Sequence, residues 1–184
     1  KPVEIEISSA SVFYGKERVL ENLNLSIKEQ RVGFIGRNGS GKTTLLRILA
    51  GLQELHNGKV LVDGTEVAKK RKEAIRKVGI IFQNPDHQII FPTVGEELRF
   101  GLTQLGLSRN AADLKVIACL KEYDKVSWFE RSISTLSQGQ KHLVCLLSVL
   151  LMKPMVLLLD EPFTGIDIPT QRKLERYLGS LKQT

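Results

Sequence analysis

The order of apolar and polar residues divides the chain into strand-like and helix-like segments. Val3 to Phe13 and Val19 to Ile27 alternate as half-exposed strands do, and the turn-like Tyr14 to Lys16 lies between them, which predicts an antiparallel pair. A further short strand is predicted at Val60 to Val62. Continuous apolar runs, typical of buried parallel strands, follow at Val32 to Ile35, Val78 to Phe82 and Met155 to Leu159.

Helix-like spacing separates these runs. One helix is predicted from Lys42 to about Ala50 and another from about Gln138 to Met152. Between Pro92 and Leu136 apolar residues recur at helical intervals, as in Leu98, Leu102, Leu105, Leu114, Ile117, Cys119 and Leu120. The order of elements predicts an α/β fold with a mainly parallel sheet, N-terminal antiparallel strands and an inserted helical subdomain.

Composition limits the class of protein. The chain has 184 residues, of which 42% are hydrophobic, and this is enough for one substantial core. Cys119 and Cys145 lack C-x-x-C spacing and lie in apolar stretches, so we expect reduced core residues in an intracellular setting. The longest apolar stretch, Leu143 to Met152, is ten residues long. A membrane-spanning helix needs about 20, and the N-terminus does not have the pattern of a signal peptide.

The net charge of +7 favours anionic partners, and the densest basic run is Lys69 to Lys72. The simplest interpretation of this run is a solvated loop or the start of a helix. Nucleic acid and anionic lipid are the alternatives, although no aromatic residues are interleaved with the basic ones as in nucleic-acid sites.

The segment Gly36 to Thr43 fits the phosphate-loop pattern G-x-x-x-x-G-K-[ST]. Glycines let the chain turn so that backbone N–H groups and the start of the next helix face an anion. Lys42 would add a charge for the β- and γ-phosphates, and the Thr43 hydroxyl is a hard oxygen ligand suited to magnesium. We therefore expect a nucleotide to be bound by Asn38, Gly39, Ser40, Gly41, Lys42, Thr43 and Thr44.

Asp160 and Glu161 follow the last predicted strand, at the edge where a parallel sheet presents its ligand-binding loops. An apolar strand that ends in an acid is the second motif of nucleotide sites, in which Asp160 would hold magnesium directly or through water. Glu161 would take a proton from the attacking water. A structural role, such as a helix N-cap, is the alternative for this pair.

The segment Leu136 to Gln140, LSQGQ, stands where a long helix is predicted to begin. A serine hydroxyl and a glycine amide at a helix start form either a second anion site or a simple N-cap. With a phosphate loop upstream and Asp160 downstream, the segment resembles the signature of the ATP-binding-cassette (ABC) ATPases, whose usual form is LSGGQ.

The resemblance to ABC ATPases extends over essentially the whole chain and implies that ATP and Mg²⁺ are the ligands. Tyr14 stands where the family has an aromatic ring that stacks on adenine, and Gln83 stands where its glutamine contacts magnesium and the attacking water. Thr164 to Asp167 correspond to a loop that contacts a second subunit. The residues implied to contact ATP across that dimer are Ser137, Gln138, Gly139 and Gln140.

The same resemblance implies a domain organisation. It indicates a single nucleotide-binding domain with a core of residues 1–87 and 138–184. A helical subdomain of residues 88–137 would carry the signature at its end. We expect a C-terminal part of the fold to follow beyond this sequence.

The segment after Gln83 resembles a subgroup, the energy-coupling-factor (ECF) ATPases of micronutrient importers. There Q-N-P-D-x-Q follows the glutamine strand, next to a groove for a membrane subunit, and the matching residues are Asn84, Pro85, Asp86 and Gln88. Within the subgroup, NPDHQIIFPTVGEEL and GQKHLVCLLSVLL are most similar to biotin-importer ATPases. A proline-limited loop without a partner is the alternative.

The resemblance also implies an assembly. Two ABC chains, identical or related, would lie head to tail, with the phosphate loop of one and Ser137 of the other enclosing each ATP. Hydrolysis by water that Glu161 activates would reopen the pair. A transmembrane coupling subunit and a substrate-binding membrane subunit are the further expected partners, nucleic acid is not, and the chain would be peripheral at the cytoplasmic face of the membrane.

Three departures from the family pattern bear on turnover. Gln138 replaces the first glycine of the signature, and Leu143 stands where most relatives have arginine. The family's switch histidine belongs to a later strand, and the histidines present, His56, His87 and His142, do not match its position. We therefore expect ATP binding, with full turnover needing a further C-terminal segment.

Two other functions stay open. A soluble ABC ATPase acting on nucleic acid or ribosomes would favour long coiled coils or tandem cassettes, which 184 residues do not hold. A catalytically weak regulatory subunit would fit Gln138 and the unmatched histidine, whereas Glu161 and Thr43 argue against it.

Overall fold

The computed structural model describes residues 3–37 and 39–180. The chain forms two compact units, the first made of Lys1–Ile80 with Pro154–Leu158 and the second of Ile81–Lys153 with Leu159–Thr184. The predicted limits of the helical subdomain, residues 88–137, stay a prediction.

The first unit contains most of the strands. Its elements in chain order are β1 (Ile5–Tyr14), β2 (Glu17–Ile27), α1 (Lys42–Leu49), β3 (Asn57–Val62), β4 (Thr65–Glu66), α2 (Arg71–Lys77), β5 (Val78–Ile81) and β6 (Val156–Leu159), the last residues of β5 and β6 passing into the second unit. The basic run Lys69 to Lys72 is exposed, and its last two residues begin α2.

Four of the strands form an antiparallel sheet in the order β2-β1-β3-β4. Tyr14 pairs with Glu17 across the end of the β1–β2 hairpin, so Gly15 and Lys16 make a two-residue turn, with Gly15 at a φ of 60°. This confirms the predicted antiparallel pair. Helix α1 buries Leu45, Leu46, Ile48 and Leu49 in the core that the strands also line.

Strands β5 and β6 form a separate pair. The N–H of Asp160 donates to the carbonyl of Ile81 over 3.0 Å, joining the carboxyl ends of both strands, so the strands run parallel. Val78 and Leu158 are buried in the core of the first unit. Parallel strands at these two apolar runs are therefore confirmed.

The prediction of a buried strand at Val32 to Ile35 is wrong. These residues form no strand, Val32 is 46% exposed and Ile35 is fully exposed. An apolar run becomes a strand only where a neighbour offers a ladder of hydrogen bonds, and among the described strands β5 and β6 pair with each other instead. The chain therefore enters the phosphate loop without regular structure.

The second unit is mainly helical. Its α-helices are α3 (Val94–Gln104), α4 (Arg109–Glu122), α5 (Gln138–Leu151) and α6 (Ile168–Ser180), and short 3₁₀ helices lie at Pro85–His87, Val126–Trp128 and Ile133–Thr135. Helix α3 packs against both α4 and α5. Leu98 and Leu102 of α3 and Leu146 and Leu147 of α5 are almost completely buried.

The helical spacing between Pro92 and Leu136 is confirmed by α3 and α4, but not every apolar residue of that pattern is buried in α4. Leu114 is 71% exposed and Ile117 also reaches solvent, whereas the buried residues are Ala112, Val116 and Leu120. These three recur every fourth residue and so share one face, and Leu114 points away from it because two residues correspond to about 200° of helix. Across all the residues that the structure describes, the helices are too short or too polar to cross a membrane.

Candidate functional site

The phosphate loop lies in the first unit and depends on two glycines with a left-handed backbone. Gly39 has a φ of 80°, and Gly41, the residue that caps α1, has a φ of 88°. A β-carbon on Gly41 would come within 3.2 Å of the Val19 carbonyl oxygen, so glycine is required there for conformation and for space. The loop closes through a 3.1 Å hydrogen bond from the Ser40 N–H to the Arg37 carbonyl.

Lys42 is the first residue of α1, and its ammonium group lies over the loop. The Nζ atom donates to the carbonyl oxygens of Gly36, at 2.7 Å, and Arg37, at 2.8 Å. The side chain is therefore already folded toward the glycine-rich turn where phosphates are expected. Thr43 is exposed and Thr44 is buried, while Asn38 lies outside the described residues.

Tyr14 ends β1 in the same unit. Its ring is 46% exposed, and its hydroxyl donates to Oε1 of Gln53 over 3.0 Å. This bond fixes the ring while leaving part of its surface open. The geometry is compatible with stacking on adenine, and that role stays a prediction.

Gln83 and Glu161, the two predicted catalytic residues, meet in the second unit. Nε2 of Gln83 donates to Oε2 of Glu161 over 2.7 Å, although 78 positions separate them in sequence. Glu161 has a φ of 48°, which costs a non-glycine residue about 1–3 kcal/mol. Its exposed carboxylate is thus aimed by both backbone and partner, and Asp160 precedes it at the strand end.

The signature segment begins α5. Ser137 is the N-cap, and its Oγ accepts from the Gln140 N–H over 3.3 Å. In return, Oε1 of Gln140 accepts from the Ser137 N–H over 3.0 Å, which completes a capping box. Ser137 is therefore an N-cap, one of the two interpretations of this segment, and its hydroxyl lies at a helix start where backbone N–H groups favour anions.

Gly139 makes an unusually close backbone contact. A β-carbon on this residue would lie 1.7 Å from the carbonyl oxygen of Gly165, which itself has a φ of 73°. Gly165 belongs to the segment implied to contact a second subunit. The start of α5 and this loop therefore touch through backbone atoms alone.

The residues of the predicted partner groove form a compact turn. The Asn84 side chain accepts from the Asp86 N–H over 3.0 Å, Pro85 is buried, and Oε1 of Gln88 accepts from the Phe82 N–H over 3.3 Å. Asp86 also reaches α5, where Gln138 and Lys141 donate to its carboxylate. These two bonds, that of Lys141 first, hold the pKa of Asp86 below its usual range.

Sequence reasoning missed two residues beside the signature. Lys141 pairs with an acid 55 positions away, and no local pattern reports such a contact. His142 is 1% exposed. Burial lowers the pKa of its imidazole, although the Pro162 carbonyl accepts a hydrogen bond from the ring and partly opposes this shift. Its Nε2 atom has no partner among the described residues. A histidine within an apolar helical run was the available signal for burial.

Thr43 in the first unit offers a hydroxyl oxygen, and Gln83 and Asp160 in the second unit offer an amide and a carboxylate oxygen, all of which are donor types that magnesium prefers. No group of three or more His, Cys, Asp or Glu side chains comes together in the part of the chain that the structure describes. Magnesium bound with a nucleotide needs only one or two carboxylates, because phosphates and water supply the other ligands. The donor type of each residue therefore suits a nucleotide-bound ion, and their joint role stays a prediction.

Known proteins agree with this arrangement. The family profile described as ABC transporter matches residues 20–164. The biotin transport ATP-binding protein BioM of Rhodobacter capsulatus is 46% identical over 165 residues, which are 90% of this chain and 70% of that protein. The energy-coupling factor transporter ATP-binding protein EcfA of Aster yellows witches'-broom phytoplasma is 32% identical over 97% of this chain and 66% of its own length.

Solved structures share the fold. The ATP-binding cassette MJ0796, determined as a dimer in a post-hydrolysis state with ADP and phosphate, matches with a TM-score of 0.85 and 26% identity, covering 97% of this chain and 83% of that one. The profile match, the relatives and the fold agree with the phosphate loop and signature seen here. The chain belongs to the ABC transporter family, as an ATP-binding subunit of the ABC ATPases, which couple ATP hydrolysis to transport.

Proposed function

We propose that this chain is the ATP-hydrolysing subunit of an ECF-type importer that takes up a micronutrient, with biotin as the favoured substrate. The observation that carries the catalytic part is the 2.7 Å hydrogen bond between Gln83 and Glu161, because a carboxylate beside a glutamine side chain suits the activation of a water molecule. The subgroup is supported by Asn84, Pro85, Asp86 and Gln88 and by the EcfA relative. Biotin is supported by the BioM relative.

The residues divide the chemistry among them. Backbone N–H groups of Gly39 to Gly41 and the Lys42 ammonium bind the phosphates. Thr43, Gln83 and Asp160 are the residues that would hold magnesium, which would neutralise charge on the phosphates. Glu161 takes a proton from water, the water oxygen bonds to the γ-phosphorus, and the bond from that phosphorus to the bridging oxygen breaks to leave ADP and phosphate.

The assembly follows from the signature. Ser137 is presented at the start of α5 by its capping box, so its hydroxyl and the helix N-terminus suit the γ-phosphate held by another chain. We infer a head-to-tail dimer of ABC chains, identical or related, bound to a transmembrane coupling subunit and a substrate-binding membrane subunit. Such an assembly would hold the chain at the cytoplasmic face of the membrane as a peripheral subunit.

The catalytic part is tested by Glu161→Gln. Glutamine keeps the size of the side chain but removes the base, so ATP turnover should fall by about 100-fold or more while ATP binding persists and an ATP-bound dimer accumulates. Turnover rates and size-exclusion chromatography with ATP measure both effects. Turnover equal to that of the unchanged protein would remove Glu161 from the mechanism and favour a regulatory role.

The transport part is tested by purification from membranes. The tagged chain should co-purify with a transmembrane subunit, and ATP turnover of that complex should respond to the imported vitamin. Biotin is compared with other vitamins in uptake assays on cells with and without the complex. Failure to recover any transmembrane subunit would contradict the importer proposal while leaving ATP hydrolysis intact.

A further inference from the structure

Asp86 is held at both carboxylate oxygens by the first turn of α5. Oδ2 accepts from Nε2 of Gln138 over 2.7 Å, and Oδ1 accepts from Nζ of Lys141 over 2.8 Å. Gln138 and Lys141 are three residues apart and so project from one face of the helix. The side chain of Lys141 is only 19% exposed, so water screens this ion pair less than it screens a surface pair.

A third contact continues the same face of α5. The Cys145 thiol lies 3.8 Å from the Pro85 carbonyl oxygen, within the range of a weak sulfur hydrogen bond, and both residues are buried. Gln138, Lys141 and Cys145 are spaced i, i+3 and i+7, which is a single helical stripe. The turn from Asn84 to Gln88 therefore lies along α5 and contacts it through three side chains of that helix.

Gln138 contributes a contact that the usual signature lacks. In LSGGQ this position is a glycine, which has no side chain and donates only through its backbone. Here the extra side chain is turned to Asp86, and Ser137 next to it caps the same helical turn. The substitution thus links the cap of α5 to the turn that precedes α3.

We propose that Gln138 and Lys141 are positioning residues that tie the Asn84–Gln88 turn to the Ser137 cap through Asp86. A change in the position of Ser137 on contact with ATP then also moves the turn that receives the membrane partner, and this coupling does not involve Gln83. This inference rests on the proposed function for the identity of the partner. The link itself is a property of one chain and is open to direct measurement.

The test uses the full-length protein with Glu161→Gln, which retains ATP, and follows backbone hydrogen exchange of residues 84–90 with and without magnesium ATP. ATP should slow exchange in this segment. Lys141→Ala should reduce that ATP effect by at least about fivefold, the scale of a typical coupling between sites. Lys141→Arg should restore it because the cation is kept, and Lys115→Ala, which removes an exposed lysine of α4, is the matched control.

A second measurement separates positioning from folding. In the complex with membrane subunits and with Glu161 intact, Lys141→Ala should lower kcat while the KM for ATP changes little. The kcat of the double variant Gln138→Ala with Asp86→Ala should equal that of Asp86→Ala alone, because both changes break the same contact. Additive losses, or an ATP effect on residues 84–90 that survives Lys141→Ala, would overturn the inference while leaving the proposed function in place. Absence of ATP binding by the folded parent protein would overturn both.

Discussion

Single residues set the direction of the proposed catalytic groups. Glu161 has an unfavourable backbone conformation, with a φ of 48°, and its carboxylate accepts a hydrogen bond from Gln83. Lys42 is held over the loop by two carbonyls. The types and order of these residues were readable from the sequence because each motif is local. The Gln83–Glu161 contact was not predicted, since the two residues lie in distant segments, and sequence reasoning assigned each of them only a separate role toward the attacking water.

His142 gives a prediction at this scale. Burial lowers its pKa in the folded protein, so below about pH 6.5 the unfolded chain takes up a proton before the folded one does. The free energy of unfolding should therefore fall as pH drops from about 6.5, and His142→Gln should remove this part of the pH dependence. Urea unfolding between pH 7.5 and 5 measures the free energy of unfolding, and its pH dependence should correspond to the uptake of about one proton per molecule.

The control for this effect is His87→Gln, because His87 is exposed. Its unfolding free energy should follow that of the unchanged protein across the pH range. If His142→Gln shows the same pH dependence as the unchanged protein, burial of a neutral imidazole is not what links stability to pH here.

At the scale of elements, α5 contacts several parts of the second unit. Its start carries the Ser137 cap and touches Gly165, and its apolar face packs on α3. The closest approach is at Gly139, where no side chain fits without movement of backbone atoms. The geometry of this helix start therefore depends on glycine.

Gly139→Ala should destabilise the protein. The added β-carbon would meet the Gly165 carbonyl, and relief of such overpacking typically costs about 1–3 kcal/mol. Gly179→Ala is the matched control in α6, because a β-carbon there meets nothing within 4 Å and alanine favours helix. Thermal unfolding should show a lower Tm for the first variant and an equal or higher Tm for the second, and equal Tm values would contradict the proposed contact.

The sequence predicted elements well where local pattern decides them and poorly where pairing does. Alternation and a two-residue turn located β1 and β2, and LSQGQ located the start of α5. The strand prediction at Val32 to Ile35 was wrong because an apolar run does not show whether a neighbouring strand is available to pair with it. The helical spacing that includes Leu114 indicated a helix without indicating its buried face, because Leu114 is exposed and the small Ala112 is buried instead. Asp86 was predicted to belong to a partner groove, but its bonds to α5 span more than 50 positions and leave no local signal.

At the scale of the whole molecule, the proposed function requires two chains for each nucleotide. In a two-fold symmetric pair each nucleotide contacts the phosphate loop of one chain and the signature of the other, so a chain with a defective phosphate loop can still supply an intact signature to its partner. The MJ0796 structure is a dimer, which makes the same arrangement the natural one to test here.

Mixing two defective chains provides that test if the two cassettes are identical. Lys42→Ala should abolish turnover through the phosphate loop and Ser137→Ala through the signature, and each should be inactive alone. A mixed head-to-tail dimer contains one intact site. Turnover should therefore return when the two variant chains are folded together or when their dimers exchange subunits. Two Lys42→Ala preparations treated in the same way are the control, and failure of the mixture to recover activity would contradict an identical head-to-tail pair.

Binding of magnesium ATP by the phosphate loop is the claim on which the other conclusions depend. Titration calorimetry of the folded chain should show saturable heat with ATP that requires Mg²⁺. Lys42→Ala should weaken the affinity by at least about tenfold, as expected when a charge-assisted hydrogen bond to phosphate is lost, whereas Lys115→Ala should not. Only heats of dilution from folded protein, or equal affinity for Lys42→Ala and the unchanged chain, would contradict the account.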